Sequence, residues 1–262
     1  MDLQTLYSLI EVFAVAVIAL ILGSFAGAFS YRAVRGLDWV RARSRCPCCE
    51  TLLRPSDLVP VLSWMIMRGR CRYCRAPVSP RYVLVELATM ALCLIFYAFY
   101  GLSPHGILLL ACAPFLTALI LTDLETMLLP NAGVGMVALL GVLEVLRQAL
   151  WPWTGSIDWT PLMTAGTGFA VFGAMAWLLR FSVGHMTGKE ALGLGDVKFF
   201  MASGIWLGAA ALPYYMLASA ASGLFVLLVW RFVLRRGQEF PFGPSLILAL
   251  IAGQLGLYPL TI

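Results

Sequence analysis

The sequence predicts an all-α polytopic membrane protein, with about eight transmembrane helices and one cytosolic loop domain built on paired cysteines. Three observations carry that prediction. Of 262 residues, 61% are hydrophobic and 12% charged, with a mean hydropathy of +0.89, whereas a soluble domain usually carries about a quarter charged residues. Apolar runs recur near the ~20 residues that a helix needs to cross about 30 Å of hydrocarbon. The net charge of +5 is not gathered on a soluble basic face, as a nucleic-acid partner requires. Instead the basic residues stand between apolar runs, where they report topology. The predicted surroundings are a lipid bilayer, without nucleic acid.

Helices are expected at about 6–30, 82–100, 106–122, 131–149, 162–182, 197–209, 211–233 and 242–260. The first reads as a retained anchor, not a cleaved signal peptide. Asp2 stands where a signal peptide is basic, and the apolar stretch exceeds a signal's hydrophobic region. Of the 18 Lys and Arg, 11 lie in the connection 31–81, and cytosolic loops attract such residues. If eight helices alternate from there, Arg180, Lys189 and Lys198 flank a second cytosolic connection, Arg231, Arg235 and Arg236 flank a third, and only Arg147 falls on the other side. Both termini then face away from the cytosol. The chain divides into a first transmembrane helix (1–30), a basic cytosolic loop domain (31–81) and a larger transmembrane domain (82–262).

The loop carries "CPCC" at 46–49 and "CRYC" at 71–74. Each C-x2-C turn offers two thiolates to one side of a tetrahedral zinc ion, and two such turns complete a four-thiolate site. A loop this small has little core of its own, so a metal supplies folding energy. The predicted ligands are Cys46, Cys49, Cys71 and Cys74, with Cys48 a spare thiol. Disulfides are the alternative, disfavoured because the cytosol keeps thiols reduced. Cys93 and Cys112 lie in apolar helices and read as small packing residues.

Carboxylates in or beside apolar runs are costly and therefore informative. They are Glu11, Glu86, Asp123, Glu125, Glu144, Asp196 and Glu239. Glu11 and Glu144 fall toward the outer helix ends, where hydration is easy. Glu86 follows Arg81 and reads as a helix-start carboxylate or as the partner of a loop arginine. Asp123 closes a long apolar run before a turn at Pro130-Asn131. Asp196 follows Gly193 and Gly195, which allow unusual turns or close backbone approach. The topology puts Asp123 and Asp196 at the same cytosolic depth. Two carboxylates in contact share one proton. The ionised member can activate water while the protonated one donates to the developing oxyanion or leaving amine, which is aspartic peptide hydrolysis. On these grounds alone, a proton-coupled transporter using the same acids is an equal alternative.

"GLGDVK" at 193–198 is similar to the GxGD motif of intramembrane aspartyl proteases, and in its GxGDxK form to the prepilin peptidase branch. "TDLETMLLP" at 122–130, "GSFAGAFSYR" at 23–32, "CPCC", "LVPVLSWMIMRGRCRYCRAPVSPRYVLVEL" at 58–87 and "FGPSL" at 242–246 extend the resemblance along nearly the whole chain. The chain thus resembles the type IV prepilin leader peptidase/N-methyltransferases. That resemblance implies a multi-pass protein of the bacterial inner membrane, in which the charge-derived topology puts both termini in the periplasm. It implies cleavage of the basic leader of type IV prepilins or type II secretion pseudopilins, followed by N-methylation from S-adenosylmethionine. Asp123 and Asp196 would be the catalytic pair, Gly193, Gly195 and Lys198 would bind substrate around the second acid, and the four paired cysteines would match a zinc-type loop. A pilin-binding assembly factor without activity is a third reading. Gly27, Val34 and Asn131 stand where the family commonly has asparagine, proline and an acidic residue.

Overall fold

A computed structural model describes residues 3–150, 157–187, 192–233 and 240–258. Among these residues the chain is helical, with no strand longer than an isolated bridge. The helices are α1 (Leu3–Ala33), α2 (Leu62–Ile66), α3 (Arg81–Tyr100), α4 (Pro104–Thr126), α5 (Asn131–Leu150), α6 (Thr160–Thr187), α7 (Leu194–Leu207), α8 (Leu212–Leu228) and α9 (Gly243–Gln254). Each of the eight expected helices corresponds to one of these, and α2 is a short addition within the loop. Six segments are long and apolar enough to cross a membrane: Gln4–Ala33, Arg81–Tyr100, Pro104–Thr126, Asn131–Leu150, Thr160–Met186 and Ala209–Phe232. α7 and α9, with 14 and 12 residues, fall short of a full crossing. Lys189, Arg235, Arg236 and Glu239 lie outside the described residues.

Some helix ends differ from expectation. α4 runs on past Thr122, so Asp123 lies within its last turns and not at its end. The helix stops where Met127 takes a positive φ of 56°, just ahead of Pro130. α7 begins at Leu194, which draws Asp196 into its first turn.

The chain forms two compact units, divided between Leu121 and Thr122. In the amino-terminal unit α1 lies against α3. A Cβ on Gly23 would sit 2.6 Å from the Glu86 Cα, and one on Gly27 would sit 3.2 Å from Val85. These two glycines are four apart and clear the face on which the helices meet, as small residues do in membrane helix pairs. Phe29 packs edge-on to Trp39 and Phe115, with ring centroids 5.1 and 5.7 Å away. Thr89 on α3 and Thr117 on α4 share a buried 2.8 Å hydrogen bond. In the carboxy-terminal unit α6 and α7 touch backbone to backbone, since a Cβ on Gly168 or Gly204 would overlap the other's carbonyl. Phe172, Phe200 and the fully buried Tyr215 form its aromatic core.

Candidate active site and metal centre

Four helix ends of the carboxy-terminal unit converge on the two aspartates. Asp123 is 4% exposed, and its Oδ2 accepts the backbone N–H of Gly243 at 2.8 Å. Gly243 is the first residue of α9, so the carboxylate meets the unsatisfied N–H groups and positive dipole end of that helix. A Cβ on Gly243 would lie 2.8 Å from the same oxygen and 3.0 Å from Leu129. Only glycine allows this approach.

Asp196 occupies the third position of α7 and accepts the N–H of Gly193 at 3.2 Å, a capping arrangement. It too is held at a helix amino terminus, and its charge is felt by Asp123. Gly193 has φ −63° and ψ 150°, a conformation open to any residue, so the expected special turn is absent there. Gly195 is needed for space instead, because its Cβ would lie 3.0 Å from the Leu129 Cβ and 3.2 Å from the Leu129 carbonyl. Lys198 donates to Asn131 Oδ1 at 2.8 Å, which ties α7 to the first residue of α5. Arg180 on α6 donates to the Leu192 carbonyl just ahead of α7. Sequence reasoning assigned no site role to Gly243, Asn131 or Arg180. "FGPSL" was the available signal for the first, and Arg180 entered only as a topology marker.

The remaining carboxylates have other partners. Glu11 accepts from Tyr97 at 2.8 Å, and Glu144 is clasped by Arg147 and Gln148 at 2.6–2.8 Å. Glu86 bonds no loop arginine and accepts the N–H of Val61 at 2.8 Å.

The basic loop forms two matching knuckles. In the first, Cys46 N–H donates to the Thr51 carbonyl at 3.0 Å and Glu50 N–H to Cys46 at 2.9 Å; in the second, Cys71 donates to Ala76 at 2.8 Å and Arg75 to Cys71 at 3.0 Å. An antiparallel bridge flanks each, Arg45 with Leu52 and Arg70 with Pro77. Glu50 and Arg75 fill the same turn position, with φ of 53° and 60°. The sulfurs of Cys46, Cys49, Cys71 and Cys74 all lie within 4.8 Å of one another, and Cys46 and Cys74 are 3.8 Å apart. Tetrahedral Zn–S bonds of about 2.3 Å set sulfurs ~3.8 Å apart, so the cluster fits zinc. Cys48 is exposed, whereas Cys93 and Cys112 are buried. Beside the knuckles, Asp57 forms an ion pair with Arg72 at 3.0 Å and accepts from Tyr73 at 2.9 Å and from the Arg54 N–H at 3.1 Å. Burial pushes its carboxyl up, but these hydrogen bonds and the nearby arginines outweigh that and hold it below the usual value.

The fold and these two centres define a polytopic helical membrane protein with a four-thiolate loop and two carboxylates, each held at a helix amino terminus. Residues 17–100 match the bacterial peptidase A24 N-terminal domain, and residues 110–228 match the type IV leader peptidase family. A "Prepilin leader peptidase/N-methyltransferase" from Pectobacterium carotovorum is 34% identical over 81% of this chain and 74% of its own length. A protein of the same name from Burkholderia pseudomallei is 36% identical over 78% of the chain, which spans only 64% of that relative. The "Type 4 prepilin-like proteins leader peptide-processing enzyme" of Escherichia coli is 35% identical over 80% of the chain and 74% of its own length. The chain belongs to the type IV leader peptidase family, and it is a multi-pass inner-membrane protein. No solved structure matches it significantly.

Proposed function

We propose that the protein removes the basic leader from type IV prepilins or type II secretion pseudopilins, with Asp123 and Asp196 as the catalytic pair, and then N-methylates the new amino terminus. The observation that carries the reading is two carboxylates held by the amino-terminal ends of α9 and α7, within a chain of this family. The relatives' names supply the leader as substrate. A transporter reading finds no support among them.

The reading requires the two carboxylates to meet, and like charges in contact share a proton. Asp123, with its short bond from Gly243, is the better-supported carboxylate and takes a proton from the attacking water. Asp196, more open to solvent, carries the shared proton and gives it to the carbonyl oxygen; as the diol collapses Asp196 takes a proton back from it, and Asp123 passes the proton it took from water to the leaving amine. A prepilin joins a basic leader to an apolar helix, so its scissile bond lies at the interface. This suits a site on the arginine-rich, cytosolic side, with both termini in the periplasm. Gly193, Gly195 and Lys198 shape the substrate-facing start of α7, Lys198 through Asn131. Cys46, Cys49, Cys71 and Cys74 would hold a structural zinc that folds the loop. S-adenosylmethionine, when bound, would supply the methyl group for the new amino terminus.

Mass spectrometry of a model prepilin incubated with the purified protein in detergent tests both activities. Loss of the leader mass is expected without any cofactor, and one added methyl with S-adenosylmethionine. Asp123→Asn and Asp196→Asn should each abolish cleavage while the protein still inserts. Cleavage by either variant would overturn the catalytic assignment.

A further inference from the structure

The amino-terminal unit contains a cavity of about 800 Å³, bounded by α1, the start of α3 and the basic loop, which the aspartate pair leaves unused. That size suits a small-molecule ligand. Its walls carry both signs of charge, so the state of each acid matters. Asp57 is taken by Arg72 and Tyr73. Asp38 caps its own turn by accepting from Val40 and Arg41 at 2.9 Å, and Glu50 is exposed.

Glu86 differs from these. It is 7% exposed, and its partners, the Val61 N–H at 2.8 Å and the neighbouring Ser24 hydroxyl, are both neutral. A buried carboxylate without a cation is costly. The backbone that supports it is strained as well. Val61 has φ 60° and ψ −53°, at the centre of a three-residue turn closed by Leu62 N–H on Pro60 at 2.5 Å. This turn is rare and unfavourable for a β-branched residue. Strain and unbalanced charge on one wall are marks of a binding site. The rings of Tyr31, Trp64 and Tyr82 also line the cavity. Trp64 is fixed by its 3.0 Å bond to the Val78 carbonyl, and aromatic faces attract cations and stack on bases.

We propose that this cavity binds S-adenosylmethionine and that Glu86 faces its sulfonium, a charge that the demethylated thioether product lacks. The inference rests on the N-methylation reading. The fit is chemical: a nucleoside for the aromatic walls, a cation for the unpaired carboxylate, and enough volume for both. Methyl transfer removes the charge that Glu86 holds, so the product is bound less tightly than the donor and leaves.

Calorimetric titration of the full chain in detergent, with S-adenosylmethionine and with S-adenosylhomocysteine, tests this directly. Glu86→Gln keeps an oxygen for Val61 but removes the charge. Affinity for the sulfonium should fall about tenfold, the scale of one partly screened charge interaction, with the thioether changed less than about twofold. Equal loss for both ligands, or no change in either, overturns the role of Glu86. Ultraviolet labelling of the unaltered protein with methyl-labelled donor gives an arm independent of any variant. Label on the peptide carrying Trp64 supports the site, and label confined to residues 122–262 overturns it. If the unaltered protein binds neither ligand the inference fails, while leader cleavage in the same sample leaves the peptidase reading standing.

Discussion

One hydrogen atom decides how Asp123 is held. Gly243 has no Cβ, so its N–H reaches the carboxylate at 2.8 Å while its α-carbon stays clear of Leu129. Gly243→Ala would put a methyl group 2.8 Å from the carboxylate oxygen, too close for either to stay in place. We expect leader cleavage to drop by about 10²-fold in kcat, the usual cost of displacing a reacting group by around 1 Å. The same substitution should leave insertion and metal content intact, as cleavage kinetics beside metal analysis will show. The aspartates stand out in the sequence as candidates because a carboxylate in an apolar run is expensive. The group holding Asp123 was not legible there, because it lies 120 positions away in sequence and only folding brings it near.

Among the elements, α7 shows best how the site is assembled. Its start is fixed by Arg180 on the Leu192 carbonyl, by Gly195 against Leu129 and by Lys198 on Asn131. Asn131→Asp would add a charge facing Lys198 at the dipole-favoured end of α5. We expect stability to rise by about 0.5 kcal/mol, read as a higher melting temperature in detergent. The helix boundaries were legible only where polarity changes. α4 outlasts its apolar run because its end is set by the backbone of Met127 and by Pro130, and polarity has no part in it. In the loop, the spacing of the cysteines revealed the metal-type cluster, but nothing local predicted that Asp57 would brace it. Because the folded Asp57 has a lowered pKa, its stabilising effect is full above the unfolded value of about 3.9 and is lost as pH falls from there through the native value. Asp57→Asn should therefore flatten the acid side of the loop's stability profile, measured by hydrogen exchange between pH 3 and 6.

Across the whole molecule, large apolar side chains such as Phe13, Phe181 and Phe225 are 66–72% exposed. Such exposure is at home in lipid and would promote aggregation in water. The helices satisfy their own backbones, whereas the basic loop has few buried apolar groups and gathers four cysteines into one cluster. Chelation should therefore open the loop selectively. We expect fast amide exchange at Cys46 and Cys71 once metal is removed, with the carboxy-terminal helices still protected; equal loss of protection in both would count against a structural metal.

The twin knuckles have a consequence for supply. Each holds two of the four thiolates, so under the zinc proposal neither would retain the ion alone and a half-folded loop would have almost no affinity. Folding and capture would then rise together as a single step in free metal concentration, following mass action. The loop would act as a threshold device: below a set level of available zinc the inserted chain keeps its helices but lacks an ordered cytosolic face.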